Sequence, residues 1–182
     1  MDKRFVKMRK NVLYMSRLMV LAVLLMVQGC KTMKVNYSFS GVNISPDIKT
    51  VTVQYFPNRA PVVQAQLSQL FTDALIDKIQ SNTSLELMPA GGDVSFSGEI
   101  RNYETRPTAI TGNEKAARNR LTISIRVVYT NVLDPDQDFD STFSRYEEYD
   151  SSQNLADVEQ ELIDLIIENL LEDLFNKAFV NW

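Results

Sequence analysis

The chain has no histidine and a single cysteine among its 182 residues. Without imidazole there is no histidine base and no histidine-containing metal site, and with one thiol no disulfide can close within the chain. Glycine is sparse, at six residues. Its one adjacent pair, Gly91 and Gly92, lies between strand-like segments and is not followed by Lys and Ser or Thr, so no phosphate-cradling loop is present. Asp134, Asp136, Asp138 and Asp140 form an acidic run, but it lacks the glycine and distal glutamate of an EF-hand loop and reads as a polar turn. Carboxylates, lysine, tyrosine and hydroxyls are the only remaining catalytic candidates, which argues against an enzyme. No internal repeat and no low-complexity segment occurs, and nothing in the chain calls for a cofactor.

Long apolar runs are also missing, with one short exception. Leu18 to Val27 is a stretch of ten apolar residues, too short for a comfortable span of roughly 20 residues. A basic segment with Lys3, Arg4, Lys7, Arg9, Lys10 and Arg17 precedes it, and Gly29 and Cys30 follow. That is the layout of a secretory signal. Val27-Gln28-Gly29-Cys30 resembles the bacterial lipobox, with Gln28 where a small residue is usual. The resemblance implies a signal peptide over 1–29 and lipid modification of Cys30, which becomes the first residue of the mature protein. The alternative is an uncleaved N-terminal helix with an incidental cysteine. Lys31 rather than aspartate follows the cysteine, which fits outer-membrane delivery by the enteric sorting rule. No acidic run follows Cys30, so the domain is expected to face the periplasm.

Removing the signal leaves 13 basic and 22 acidic residues, a net charge of −9. So acidic a domain does not replace counterions on nucleic acid. About 150 residues is one domain with a single core.

Residues 30–50 read as the lipidated cysteine, a tether and an extended arm that docks through Tyr37 and Phe39. The single domain follows over 51–182. Val51, Val53 and Tyr55 alternate with polar positions up to Pro57, a strand pattern. Pro61 stands near the expected start of a helix, on which Leu67, Leu70, Phe71, Ala74, Leu75 and Ile79 form one apolar stripe. Leu85 to Met88 is a short apolar run closed by Pro89 and the glycine pair. Val94, Phe96, Gly98 and Ile100 alternate with polar residues. Leu121, Ile123, Ile125, Val127 and Tyr129 do the same, as in an antiparallel sheet covered on one side. Phe139 to Tyr149 returns as a last strand. A long helix runs from about Leu155 to Phe179, capped by Asn154 with Asp157, with Val158, Leu162, Leu165, Ile166, Leu170 and Phe175 apolar and the rest acidic. Phe179, Val180 and Trp182 either close over the core or meet a partner. The expected fold is α+β, with two amphipathic helices packed on one face of a four-stranded, mostly antiparallel (mixed) sheet.

The longest gap between regular elements, 106–120, is read as a functional loop. Over 106–126, Arg106, Lys115, Arg118, Arg120 and Arg126 meet one acid, Glu114, a local charge of +4. Arg120 and Arg126 share strand parity with Thr122 and Ser124, which puts guanidinium groups and hydroxyls on one face. Such a face suits phosphate or carboxylate. Equally, it is a solvated strand face with ion pairs to acidic neighbours.

Tyr37–Gly41 (YSFSG), Val51–Pro61 (VTVQYFPNRAP), Asn119–Ile125 (NRLTISI), Tyr149–Asn154 (YDSSQN) and Phe175–Trp182 (FNKAFVNW) together resemble the LptE family of lipopolysaccharide-assembly lipoproteins, in its Bacteroidetes-type branch. The resemblance covers nearly the whole mature chain, and none of its segments is a catalytic signature. It implies a Gram-negative outer-membrane lipoprotein that plugs the LptD β-barrel, supports its assembly and helps lipopolysaccharide reach the outer leaflet. The implied fold, two helices on a four-stranded sheet, agrees with the periodicity. The basic loop and strand face are candidates for lipopolysaccharide contact. Two other classes stay open: an auxiliary lipoprotein of a phospholipid-transport ABC system, which would carry bound phospholipid, and a structural lipoprotein of barrel assembly, which would co-purify with the insertion machinery.

Overall fold

The computed structural model describes residues 44–108 and 117–180. Cys30, the arm aromatics, Lys115 and Trp182 lie outside the described residues. In chain order the elements are β1 (Thr50–Val53), α1 (Leu67–Asn82), β2 (Glu86–Leu87), β3 (Val94–Thr108), β4 (Arg118–Asn131), a 3-10 turn (Pro135–Gln137), β5 (Phe139–Asp150), α2 (Leu155–Phe175) and a π turn (Asn176–Val180).

The sheet has five strands, not four, in the order β2-β1-β3-β4-β5. The fifth strand is the short apolar run after α1. Leu87 pairs with Val51 in parallel register, and β1 pairs in parallel with β3. Two residues carry no period, so alternation could not reveal them. The β3–β4–β5 meander is antiparallel, and the whole sheet is therefore mixed.

Two expected boundaries move, and one expected cap bonds differently. β1 ends at Val53; beyond it Tyr55 is 57% exposed while Phe56 is fully buried, the reverse of simple alternation. Phe56 leaves the strand pattern to meet the ring of Phe71 on α1 edge-on at 5.0 Å. The chain then rejoins β3, with Arg59 N donating to Ile100 O at 2.8 Å. Helix α1 begins at Leu67, six residues beyond Pro61. Its first turn is capped by Gln64, whose Oε1 accepts from Gln66 N (2.7 Å) and Leu67 N (2.9 Å). Asn154 does occupy the N-cap of α2, but its side chain accepts nothing from the first turn. It donates instead to Asp157 Oδ2 at 3.4 Å.

A β-bulge between Ile100 and Asn102 leaves Arg101 without a partner on β4. The pleat turns over there. Val94, Phe96 and Ile100 face the core before it and Tyr103 after it. Gly98 sits on the core-facing row with no room for a side chain, since a Cβ would stand 2.0 Å from Arg126 O and 2.7 Å from Phe56 Cε1.

Buried residues of α1 and α2 join alternate residues of β1, β3 and β4 in one core. Leu67, Phe71, Leu75 and Ile79 supply the α1 side. On α2, Leu162, Ile163, Ile166, Ile167, Leu170, Leu171, Leu174 and Phe175 are buried, whereas Leu165 is exposed. Phe179, on the π turn, closes over the core against Phe96, Tyr129 and Phe175, with centroids at 5.8, 6.2 and 5.1 Å. Burial pushes the Tyr129 phenol up to about 12, with Asp138 and Asp134 adding to the shift. Among the described residues three polar links tie α2 to the sheet: Tyr103 Oη donates to Glu159, Arg145 grips Asp173 at 2.6 and 2.5 Å, and Asn169 Nδ2 donates to Glu147 Oε1 at 3.5 Å.

Candidate functional site

Both described ends of the basic segment are strand. β3 runs on to Thr108 and β4 starts at Arg118, with Arg106 opposite Arg120 and Thr108 opposite Arg118. No apolar alternation marks these residues, so the sequence read them as a gap; backbone pairing alone extends the hairpin. Lys115 lies outside the described residues.

The register divides the candidates into two groups on the face away from the core. Arg106, Arg118 and Arg120 meet at one end of the hairpin. Arg126 lies six residues along β4 from Arg120, roughly 20 Å away at strand rise, opposite Glu99 and Thr142. Ser124 sits between them and shares a hydrogen bond with Ser144 at 2.8 Å.

Each guanidinium already has an acid. Arg106 bonds Glu104 at 3.0 and 2.8 Å. Arg120 holds Glu148 Oε1 at 2.7 Å, and Arg118 reaches the other oxygen of the same carboxylate at 3.9 Å. The Arg120 guanidinium also lies 3.8 Å from the ring centroid of Tyr146, a cation–π contact. Arg126 grips Asp140, with Nε at 2.8 Å from Oδ1. That hydrogen bond holds the Asp140 carboxyl below the usual carboxylate range. Glu148 and Asp140 likewise raise the pKa of Arg120 and Arg126.

The described basic side chains counted along the sequence thus meet acids from their own or neighbouring strands. Among the described residues three guanidinium groups at the hairpin end face three carboxylates, Glu104, Glu148 and Asp150, the last directly opposite Arg118, so no net positive charge is left there. The acids come from β5 and from β3 itself, and cross-strand register, which no sequence spacing reveals, brings them in. Tyr146 and Glu148 were missed for the same reason. Their shared parity with Ser144 was the only available signal.

Exposed pairs of this kind contribute little stability and exchange readily. A phosphate offers stronger, bidentate partners to the same guanidinium forks. The arrangement can therefore trade a carboxylate for an anionic ligand at small cost. The four acidic residues of the β4–β5 turn diverge instead of converging. Asp138 Oδ1 accepts from Asn131 N at 2.6 Å, Asp134 accepts from Gln137 at 2.8 Å, and Asp140 pairs with Arg126.

The profile of the LptE lipopolysaccharide-assembly family matches residues 48–178. The chain belongs to the LptE family. The match runs from just ahead of β1 to the π turn and so takes in every strand and both helices. No curated protein matches the chain. Among solved structures, the hypothetical protein CT253 from Chlamydia trachomatis aligns at 9% identity and a TM-score of 0.48, covering 72% of this chain and 98% of that one. Lipoprotein B from Nitrosomonas europaea aligns at 12% identity and a TM-score of 0.44, covering 70% and 80%. The rare lipoprotein B from Shewanella oneidensis aligns at 8% identity and a TM-score of 0.41, covering 69% and 89%. Membership of the LptE family makes this chain a lipopolysaccharide-assembly lipoprotein of the Gram-negative envelope.

Proposed function

We propose that this LptE-family chain is a lipid-anchored outer-membrane lipoprotein on the periplasmic side. It plugs an LptD-type β-barrel, supports that barrel's assembly and assists lipopolysaccharide transport to the outer leaflet. The observation that carries this reading is the family match over 48–178, which spans the folded domain. In this reading residues 1–29 are the cleaved signal, Cys30 carries the lipid, 30–50 form the tether and arm, and 51–182 form the domain. Acyl chains contribute ~0.8 kcal/mol per buried CH₂, and two or more hold a protein stably at the membrane.

We infer that both helices cover the same face of the sheet, since their buried residues share one core with its alternate positions. The opposite face, carrying hydroxyls and paired guanidinium groups, is then left for the barrel lumen and the lipid. Arg106, Arg118 and Arg120 take the phosphates of lipid A in exchange for Glu104 and Glu148. Lys115 and Arg126 belong to the same proposed contact set, Arg126 as a separate, more distant point. The role is one of binding and support, with no catalytic step assigned to any residue. Depletion of the protein in its own cells tests the reading: surface lipopolysaccharide should fall while precursor accumulates in the periplasm. Unchanged surface lipopolysaccharide after depletion would overturn it.

A further inference from the structure

Charge on this domain is strongly divided between its layers. α2 carries seven carboxylates and no lysine or arginine, and α1 adds Asp73 and Asp77 against Lys78. The two helices together thus hold −8 of the mature domain's −9. Glu172 and Asp173 lie in the last turn of α2, which contains no basic residue. There they oppose the helix macrodipole. Among the described residues only Asp173 of the two is in an ion pair, with Arg145.

Between the helices runs a groove of 430 Å³, floored by Leu70, Ala74, Ile167 and Leu171 and rimmed by Asp77, Asp164 and Glu168. Among the described residues Lys78 is the only cation on the rim, and it sits 6.0 Å from the Phe175 ring centroid at the flank. Among the described residues none of the three rim acids is in an ion pair; Asp164 accepts only from Gln160, at 2.8 Å. The groove is therefore apolar below and anionic along its edges.

We propose that this groove is a docking site for a basic amphipathic helix of a partner protein, with lysine or arginine flanking an aliphatic stripe. The volume lies within the range of ligand-binding clefts. A floor made by apolar residues four apart on each helix, Leu70 with Ala74 and Ile167 with Leu171, suits the turn-by-turn anchors of a helix laid in a groove. Charge complementarity selects the occupant. A second copy of the chain would bring another −8 surface, and an anionic membrane or a phosphate ligand would be repelled in the same way. The site lies on the helix layer and is independent of the barrel reading, so either stands if the other fails.

The test uses the full lipidated chain in neutral phosphatidylcholine nanodiscs, with empty nanodiscs as the baseline. The probe is an 18-residue leucine–lysine peptide patterned as an amphipathic helix. A scrambled peptide of identical composition, lacking an apolar face, is the comparison. The patterned peptide should bind at least tenfold more tightly than the scrambled one. Ala74→Trp, which fills the groove, and Asp164→Lys with Glu168→Lys, which reverse its rim, should each weaken it at least tenfold. The rim variants alter exposed helix positions and remain informative if the tryptophan variant does not fold. Equal binding of both peptides, or patterned-peptide binding unaffected by the rim reversal, would overturn the proposal.

Discussion

Arg106 and Arg120 stand directly opposite each other on β3 and β4, two like charges in a position where such pairs are destabilising. The bulge at Arg101 creates this relationship, because without it Arg106 would carry the parity of Ile100 and point toward the core. Glu104 and Glu148 offset the repulsion from either side. One irregular residue therefore sets both the packing of Tyr103 and the clustering of the arginines.

Deleting Arg101 should therefore be tolerated, although deletions inside strands usually are not. It removes the one unpaired residue and leaves Ile100, Asn102, Tyr103 and Arg106 opposite Ile125, Ser124, Ile123 and Arg120 in a regular ladder. Urea denaturation should show a loss comparable to that of Arg101→Ala. A loss of about 3 kcal/mol or more, the scale of emptying a large aromatic site, would contradict the role given to the bulge.

Glu148→Gln removes the carboxylate shared by Arg118 and Arg120 and should raise affinity for purified lipopolysaccharide at low salt several-fold. Joint reversal of Arg106, Arg118 and Arg120 to glutamate should lower it tenfold or more. Both effects should shrink as salt rises, as screening requires. Binding that ignores all four substitutions would remove the hairpin end from the contact surface.

Asp93 gives a pH test of the fold. Its carboxylate accepts from Lys49 N, Thr50 N and Thr50 Oγ1, each within 2.9 Å. These bonds, the one from Lys49 foremost, hold its pKa below the ordinary value. A depressed carboxyl contributes stability that is present above the unfolded pKa, about 3.9. That stability is lost as pH falls through the lower folded value. Asp93→Asn should therefore melt below the parent at pH 7, with the difference narrowing at pH 3. A gap of equal size at both pH values would count against the linkage.

Gly98→Ala should destabilise strongly, although alanine is small. Its Cβ would meet a backbone carbonyl oxygen at 2.0 Å, so strands β3 and β4 must part. Overpacking of this kind costs about 1–3 kcal/mol or more, readable as a lower urea midpoint. An unchanged midpoint would show that the sheet relaxes there freely.

Much of the fold was legible because apolar residues recur at clear periods. The stripe from Leu67 to Ile79 and the alternation from Leu121 to Tyr129 place α1 and β4 without further information. Glu86 and Leu87 were not legible as a strand, since two residues have no period and owe their state to pairing with β1. The site was half legible. Its arginines stand out in the sequence, but Glu104, Glu148 and Asp150 offset them through local geometry and register, and the bulge that sets the register leaves no mark in residue type. Phe56 defied alternation because a tertiary partner, Phe71, outweighed strand geometry.

The central claim is that the chain works in complex with a large outer-membrane barrel. Membranes solubilised in a mild non-ionic detergent, followed by capture on a C-terminal tag and mass analysis of what is retained, test it most directly. The account predicts a β-barrel of LptD size in stoichiometric amount, surviving the detergent. Recovery of a transport permease or of bound phospholipid, with no barrel, would contradict it.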